Sequence, residues 1–274
     1  MRLPLTLAIL FALPGAAVAE EQCKFSEPRS LELQLAGVKS VLFEVGSSDL
    51  HLEALPGNGG RLHGRACAAK ADVLKGLTVT QKRVGDRLVV TLTDDRLLRM
   101  SVGENYSYLD LRGSVPSHLL VQLDVGSGDA DITGAAAVSA DVGSGDVAIR
   151  KSKGRVTVKV GSGDVELEDI GTLRVLAVGS GDLKAKQIHG AAEIGKVGSG
   201  DVTLRDVAGS IKVGTIGSGD MELNDVRGNI TVEAINSGAL NVRKVSGDVS
   251  VARKGSGDIN VKDVAGTTRV PAER

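Results

Sequence analysis

The chain has 274 residues, with 33 Lys and Arg against 34 Asp and Glu, a formal net charge of −1 at pH 7, and 2% aromatic residues. The two signs of charge are interspersed, which excludes the basic face that a nucleic-acid or other polyanion-binding protein presents. After Tyr108 there is no Phe, Tyr or Trp at all, so most of the chain lacks the aromatic platforms on which sugar rings and bases stack.

Residues 1–19 read as a cleaved secretion signal. Arg2 is their sole charge, an apolar run follows from Leu3 to Leu13, Pro14-Gly15 breaks it, and Ala17-Val18-Ala19 offers the small residues of a cleavage site. The run is shorter than the ~20 residues that span a bilayer, which disfavours an anchor. Cys23 follows Glu20-Glu21-Gln22 rather than small apolar residues, so lipid attachment is not indicated. No second long apolar stretch exists. The expectation is a soluble exported protein, periplasmic or secreted to the cell surface, with no transmembrane segment once the signal is removed. Export also frames the two cysteines. Cys23 and Cys67 form neither a Cys-x-x-Cys motif nor a set with a nearby His pair, and are expected to make a disulfide.

Residues 20–124 read as an N-terminal cap with irregular first coils. Glu20 to about Ser30 is a polar lead-in. Leu31-Glu-Leu-Gln-Leu35 alternates, and Val41-Leu-Phe-Glu-Val45 is an apolar run, which together predict one or two strands. Gly46-Ser-Ser-Asp49 looks like an imperfect first repeat turn, and the Gly-rich stretch Leu55 to Arg65 is expected to be a loop. Leu77–Thr80 and Leu88–Leu92 flank Val84-Gly85-Asp86-Arg87 and predict a hairpin. Thr93 to Asn105 reads as polar and irregular. Tyr108–Leu111 and Leu119–Val125, separated by Val115-Pro116, lead into the array.

Residues 125–266 are periodic, and 267–274 form a tail. Gly-Ser-Gly-Asp recurs at Gly126, Gly143, Gly161, Gly179, Gly198, Gly217 and Gly255, with a degenerate Asn236-Ser-Gly-Ala239 in the gap, at steps of 17, 18, 18, 19, 19, 19 and 19 residues. A fixed period of this size signals stacked small units, none of which buries its apolar side alone. Apolar residues precede the turns from Val125 to Ile235 and follow each turn, as in Val197, Val202 and Leu204. A second turn recurs as Asp206-Val-Ala-Gly209, Asp225-Val-Arg-Gly228 and Asp263-Val-Ala-Gly266, followed by pairs such as Ile211 and Val213. The prediction is an all-β, single-domain parallel β-solenoid, with two or three short strands and two glycine turns per coil of 17–19 residues. Small and β-branched residues suit so narrow a core. The turn glycines are expected to supply positive φ angles. Outside the core, Glu168 should stack between Arg150 and Lys186 of the neighbouring coils.

The turn carboxylates Asp129, Asp146, Asp164, Asp182, Asp201, Asp220 and Asp258 are the most prominent candidate site. Stacked coils would bring them ~4.8 Å apart, where like charges repel. A row of calcium ions, as in nonapeptide β-rolls, is one answer. The other is structural, with each carboxylate accepting hydrogen bonds from turn amides or the turn Ser. The β-roll repeat needs tandem Gly-Gly-x-Gly-x-Asp, which is absent, and Ala239 interrupts the row, so the structural ladder is favoured. The turn serines lack a base and an orienting acid, with His51, His63, His118 and His189 scattered singly. No Gly-Lys-Ser/Thr follows to make a phosphate loop. A carbohydrate-cleaving β-helix would need a walled cleft with clustered acids, and coils this uniform offer no long loop to build one.

Val-Gly-Ser-Gly-Asp-Val repeats, the intervening Asp-Val-x-Gly, the exported N-terminus and the Val115-Pro116 step resemble the bacterial β-strand-repeat family of unknown function, whose members are labelled candidate adhesins. They are also similar to the head domain of autotransporter-type adhesins. The resemblance runs from about Leu31 to Val264 and implies a single β-helical domain, right-handed, with no catalytic residues to carry over. The reading is a non-enzymatic envelope or exported protein with no cofactor, binding an unidentified envelope or surface component. A calcium-dependent β-roll and a carbohydrate-active enzyme are the alternatives.

Overall fold

Alternation with a period of two drives one side of every strand inward, and the structure turns that pattern into a stack. The computed structural model describes residues 23–94 and 106–271. The expected signal 1–19 and most of the irregular segment 93–105 lie outside the described residues. The chain forms an all-β solenoid of about eight turns.

The regular array has two strands per coil. In its middle, β15 (Val202–Val207) and β16 (Ile211–Ile216) stack on β13 (Leu183–Ile188) and β14 (Ala192–Val197), and are covered by β17 (Met221–Val226) and β18 (Ile230–Ile235). All these pairings are parallel and in register, so Ala185, Leu204 and Leu223 form one inward column and Ile194, Val213 and Val232 another. The aliphatic columns form a continuous buried cluster along the whole stack. Earlier coils run through β8 (Leu120–Val125), β9 (Ala130–Thr133) and β10 (Ala137–Val142) into β11 (Val147–Val160) and β12 (Val165–Val178). These last two are 14 residues long and continue through the second corner without a break. The stack ends with β19 (Ala239–Val245), β20 (Val249–Val251), β21 (Asp258–Val264) and β22 (Thr268–Arg269).

The first coil is displaced in sequence. β2 (Ser40–Gly46) and β3 (Asp49–Leu55) pair in parallel with β8 and β9, so Gly46–Asp49 is a true repeat turn. Between them the chain leaves the stack and builds its end. β6 (Arg87–Asp94) and β7 (Ser107–Pro116) form a further parallel layer on β2 and β3. Antiparallel strands then close it: β5 (Leu77–Val84) on β6 as the expected hairpin, β4 (Arg61–Ala68) on β7, and β1 (Phe25–Glu32) on β4.

Three expectations are corrected. The first strand lies in the residues read as a polar lead-in, because β1 is the outermost strand of the cap and is exposed over most of its length; Leu33 and Leu35 are buried but follow the strand. The loop expected over Leu55–Arg65 ends at Gly60, and β4 begins at Arg61. The glycines of the Gly-Ser-Gly-Asp turns from Gly126 onward do not take positive φ, and only Gly46 of the first turn does, at 64°. They allow close stacking instead: a Cβ on Gly145 would lie 1.7 Å from the carbonyl oxygen of Gly128 one coil below. In the array the left-handed conformation falls mainly on non-glycine residues at the second corner, Lys151, Asp169, Gln187, Asp206, Asp225, Lys244 and Asp263, with φ between 54° and 58°. Short Asp side chains tolerate this region best.

Candidate functional site

The tight corner brings the turn carboxylates into a single file. Because Gly-Ser-Gly stacks directly on Gly-Ser-Gly, the Asp side chain of one coil reaches the backbone of the next. Oδ1 of Asp129 accepts the N–H of Asp146 at 2.9 Å, Asp146 that of Asp164 at 3.0 Å, and Asp164 that of Asp182 at 3.0 Å. Asp182 accepts from Asp201 at 3.1 Å, Asp201 from Asp220 at 2.8 Å, and Asp220 from Ala239 at 2.9 Å. The ladder therefore has a direction, with each acceptor serving the coil that follows. Ala239 breaks it, and the N–H of Asp258 turns to the carbonyl of Gly238 at 3.2 Å.

Asp49, which was not among the expected ladder residues, is the foot of this file and accepts the N–H of Asp129 at 3.3 Å. The Gly46-Ser-Ser-Asp49 outlier was the signal that could have found it. Burial raises its carboxyl above the ordinary 3.8, the N–H of Asp129 lowers it, the nearby charges of Asp129 and Asp110 raise it, and His51 lowers it.

A second file, also missed, runs along the other corner just after the glycine. Ser210 Oγ accepts the N–H of Asn229 at 3.1 Å, Asn229 Oδ1 that of Asp248 at 2.9 Å, and Asp248 Oδ1 that of Thr267 at 2.7 Å. Its signal was a short polar residue after the second-turn glycines Gly209, Gly228, Gly247 and Gly266, varied enough in identity to escape a motif search. Outside the core, Glu168 does bridge Lys186 at 3.0 Å and Arg150 at 3.9 Å. Such exposed pairs contribute about 0–1 kcal/mol.

The expected disulfide is present. Cys23 and Cys67 are bonded with Cα atoms 5.6 Å apart, tying the segment before β1 to the central strand of the cap. Closing a loop of 44 residues stabilises by up to about 4 kcal/mol in the chain-entropy account.

Two concavities stand out among the described residues. A groove of about 730 Å³ follows the second corner, lined by Asp206, Asp225, Asp263, His189, Arg227 and Lys244. Its acids share the left-handed column, Lys244 pairs with Asp225 at 3.4 Å, and His189 pairs with Asp169 at 2.6 Å beside it. A hollow of about 720 Å³ near the cap holds His51, Glu53, Arg61, His63, Arg112 and Asp131, with His51 Nδ1 against the Asp131 carboxylate. His63, Arg112, His51 and Asp131 occupy one row across β4, β7, β3 and β9. Among the described residues no three His, Cys, Asp or Glu side chains converge on a point that would hold a metal, and no helix is long and apolar enough to cross a membrane.

No family model and no curated protein matches the chain. Solved structures do. One described as a candidate lipid-binding protein of Parabacteroides distasonis is 17% identical with a TM-score of 0.42, covering 89% of this chain and 97% of that one. A candidate adhesin of Parabacteroides merdae is 12% identical with a TM-score of 0.41 and the same coverages, 89% and 97%. A candidate cell adhesion protein of Clostridium sporogenes is 11% identical with a TM-score of 0.38, covering 87% of this chain and 99% of that one.

Proposed function

We propose that the chain is a non-enzymatic, exported interaction module of the bacterial cell envelope, adhesin-like in the sense that a rigid stack presents rows of polar side chains to a partner. The observation that carries this reading is the ladder from Asp49 to Ala239, in which every carboxylate serves as a hydrogen-bond acceptor for the next coil. The residues that most resemble a reactive or metal-binding set are thereby engaged in holding the corners. The disulfide supports export, since such bonds persist in oxidising compartments. The motif resemblance points the same way.

Neither alternative gains from the geometry. Calcium-binding β-rolls repeat Gly-Gly-x-Gly-x-Asp every nine residues, whereas here each turn Asp from Asp129 to Asp220 is bonded to the amide of the next coil, and the acids of the second corner, Asp206, Asp225 and Asp263, form a separate column without that repeat. Cleavage of a glycosidic bond needs two carboxyls flanking it from opposite sides. Asp206 and Asp225 instead stand one above the other in a single column, with no aromatic residue in their groove.

The test is saturable binding of the fluorescently labelled protein to envelope fractions of the bacterium that makes it, compared with its cytosol, in chelator and in millimolar calcium. The expected result is competition by unlabelled protein, preference for envelope, and no effect of chelator. Binding equal in both fractions would overturn the envelope reading. A large calcium-dependent rise in both binding and melting temperature would establish the β-roll in its place.

A further inference from the structure

The two ends of the stack are built differently. At the N-terminal end, β1, β4 and β5 close the layer of β6 and β7 with antiparallel pairing. At the other end, β21 pairs with β19 along one edge, from Asp258 opposite Ala239 to Val264 opposite Val245. Among the described residues no strand pairs with its second edge.

That edge is prepared for a strand. In the coils from Leu50 to Val202 the residue after the turn Asp donates its N–H to the turn-Asp carbonyl of the next coil, as Leu183 does to Asp201 and Val202 to Asp220, both at 2.9 Å. In the last described coil this residue is Ile259. Its backbone groups, and those of Val261 two residues on, therefore point away from the stack. Their side chains continue columns that are fully buried one coil below at Leu240 and Val242, yet are themselves only partly buried. Lys262 stands opposite Arg243, a like-charged neighbour, and neither Lys262 nor Asp258 makes an ion pair within the described residues.

We propose that this edge pairs with the same edge of a second copy, antiparallel about a two-fold axis at Asn260, to give a closed end-to-end dimer. In that register Ile259 lies opposite Val261 of the second copy. The two exchange backbone hydrogen bonds and close both apolar columns. Asp258 lies opposite Lys262 of the second copy, twice by symmetry, which supplies the carboxylate that the Arg243–Lys262 stack lacks. Shifting the centre to Val261 would set Ile259 against Asp263 and Asn260 against Lys262, placing a charge against the core edge. Since both copies use the same edge and the far ends are capped, the assembly stops at two instead of growing into a filament. The proposal is independent of the envelope reading, because it concerns self-association and a different surface.

The test is sedimentation velocity of the purified chain, disulfide intact, from about 1 to about 100 µM. A contact one coil wide is expected to dissociate with a constant of about 10 µM. Asp258→Lys should raise that constant at least about tenfold, and adding Lys262→Asp should restore it. Asn260 would meet itself in a non-hydrogen-bonded pair, where Cα atoms approach to about 4.5 Å and a disulfide fits. Asn260→Cys should therefore cross-link to a covalent dimer on a non-reducing gel, while Asn241→Cys, one coil inside on the same row, should not. Unchanged melting curves show that each variant is folded. A monomer at every concentration, or a dimer indifferent to Asp258→Lys and not cross-linked through Asn260→Cys, overturns the proposal.

Discussion

Oδ1 of Asp164 accepts the backbone N–H of Asp182 at 3.0 Å, so that a side chain from one coil completes the corner of the next. The relation is one-way, so a turn Asp with an amide above it and one without should respond differently to replacement. Replacing Asp164 with Ala removes a charge-assisted bond and should cost about 1–2 kcal/mol in urea unfolding. Asp164→Asn keeps an acceptor and should cost less than half of that. Asp258→Ala, beyond the break at Ala239 and with no described amide above its carboxylate, should change little in dilute protein. Equal losses at Asp164 and Asp258 would mean that the turn carboxylates act through something other than this ladder.

The repeated corner made much of this legible in advance. Leu204 and Val213 declared themselves inward by alternation, and stacking placed Glu168 between Arg150 and Lys186. The cap was harder to read because its outer strand β1 is exposed over most of its length, leaving no apolar period between Phe25 and Glu32. Asp49 escaped because its partner Asp129 is 80 residues away, with strands β4 to β7 of the cap inserted between them. The φ angles were misassigned for a physical reason. A repeated glycine reads equally well as a left-handed corner or as a point of close contact, and the carbonyl of Gly128 beneath Gly145 selects the second.

Asp49 gives a pH prediction with a definite sign. Burial raises its folded-state pKa above 3.8, so the folded protein favours the neutral carboxyl. That contribution is fully present below about 3.8 and is lost as pH rises through the folded-state value. At pH 7 the half-buried charge therefore costs stability. Asp49→Asn, which keeps an oxygen for the N–H of Asp129, should melt higher than the parent at pH 7, and the difference should shrink at pH 3.5. A gap that widens on acidification would reverse the assignment.

Gln187 is held at φ 58° with none of the short-side-chain compensation available to Asp206 and Asp225. The left-handed region costs a non-glycine residue roughly 1–2 kcal/mol, and glycine loses part of that advantage to chain entropy. Gln187→Gly should therefore stabilise by a few tenths to about 1 kcal/mol, an unusual sign for a glycine substitution in a strand-rich region. Gln187→Val should destabilise, since branching at Cβ aggravates the clash. Chemical denaturation of the two variants separates a strained corner from a relaxed one.

The core register sets the sharpest contrast between adjacent positions. Leu204 is 0% exposed and lies between Ala185 and Leu223 in its column. Thr203 points outward between Lys184 and Glu222. Leu204→Asp places a carboxylate in an aliphatic column with no donor to meet it, and should cost several kcal/mol. Thr203→Asp gains Lys184 on one side and meets Glu222 on the other, so it should shift stability by less than about 1 kcal/mol. Because each coil is supported by its neighbours, the Leu204 variant should also lose amide hydrogen-exchange protection in β13 and β17, with the disulfide-closed cap affected least. Matching denaturation midpoints for the two variants would mean that alternation does not set the inward face at this coil.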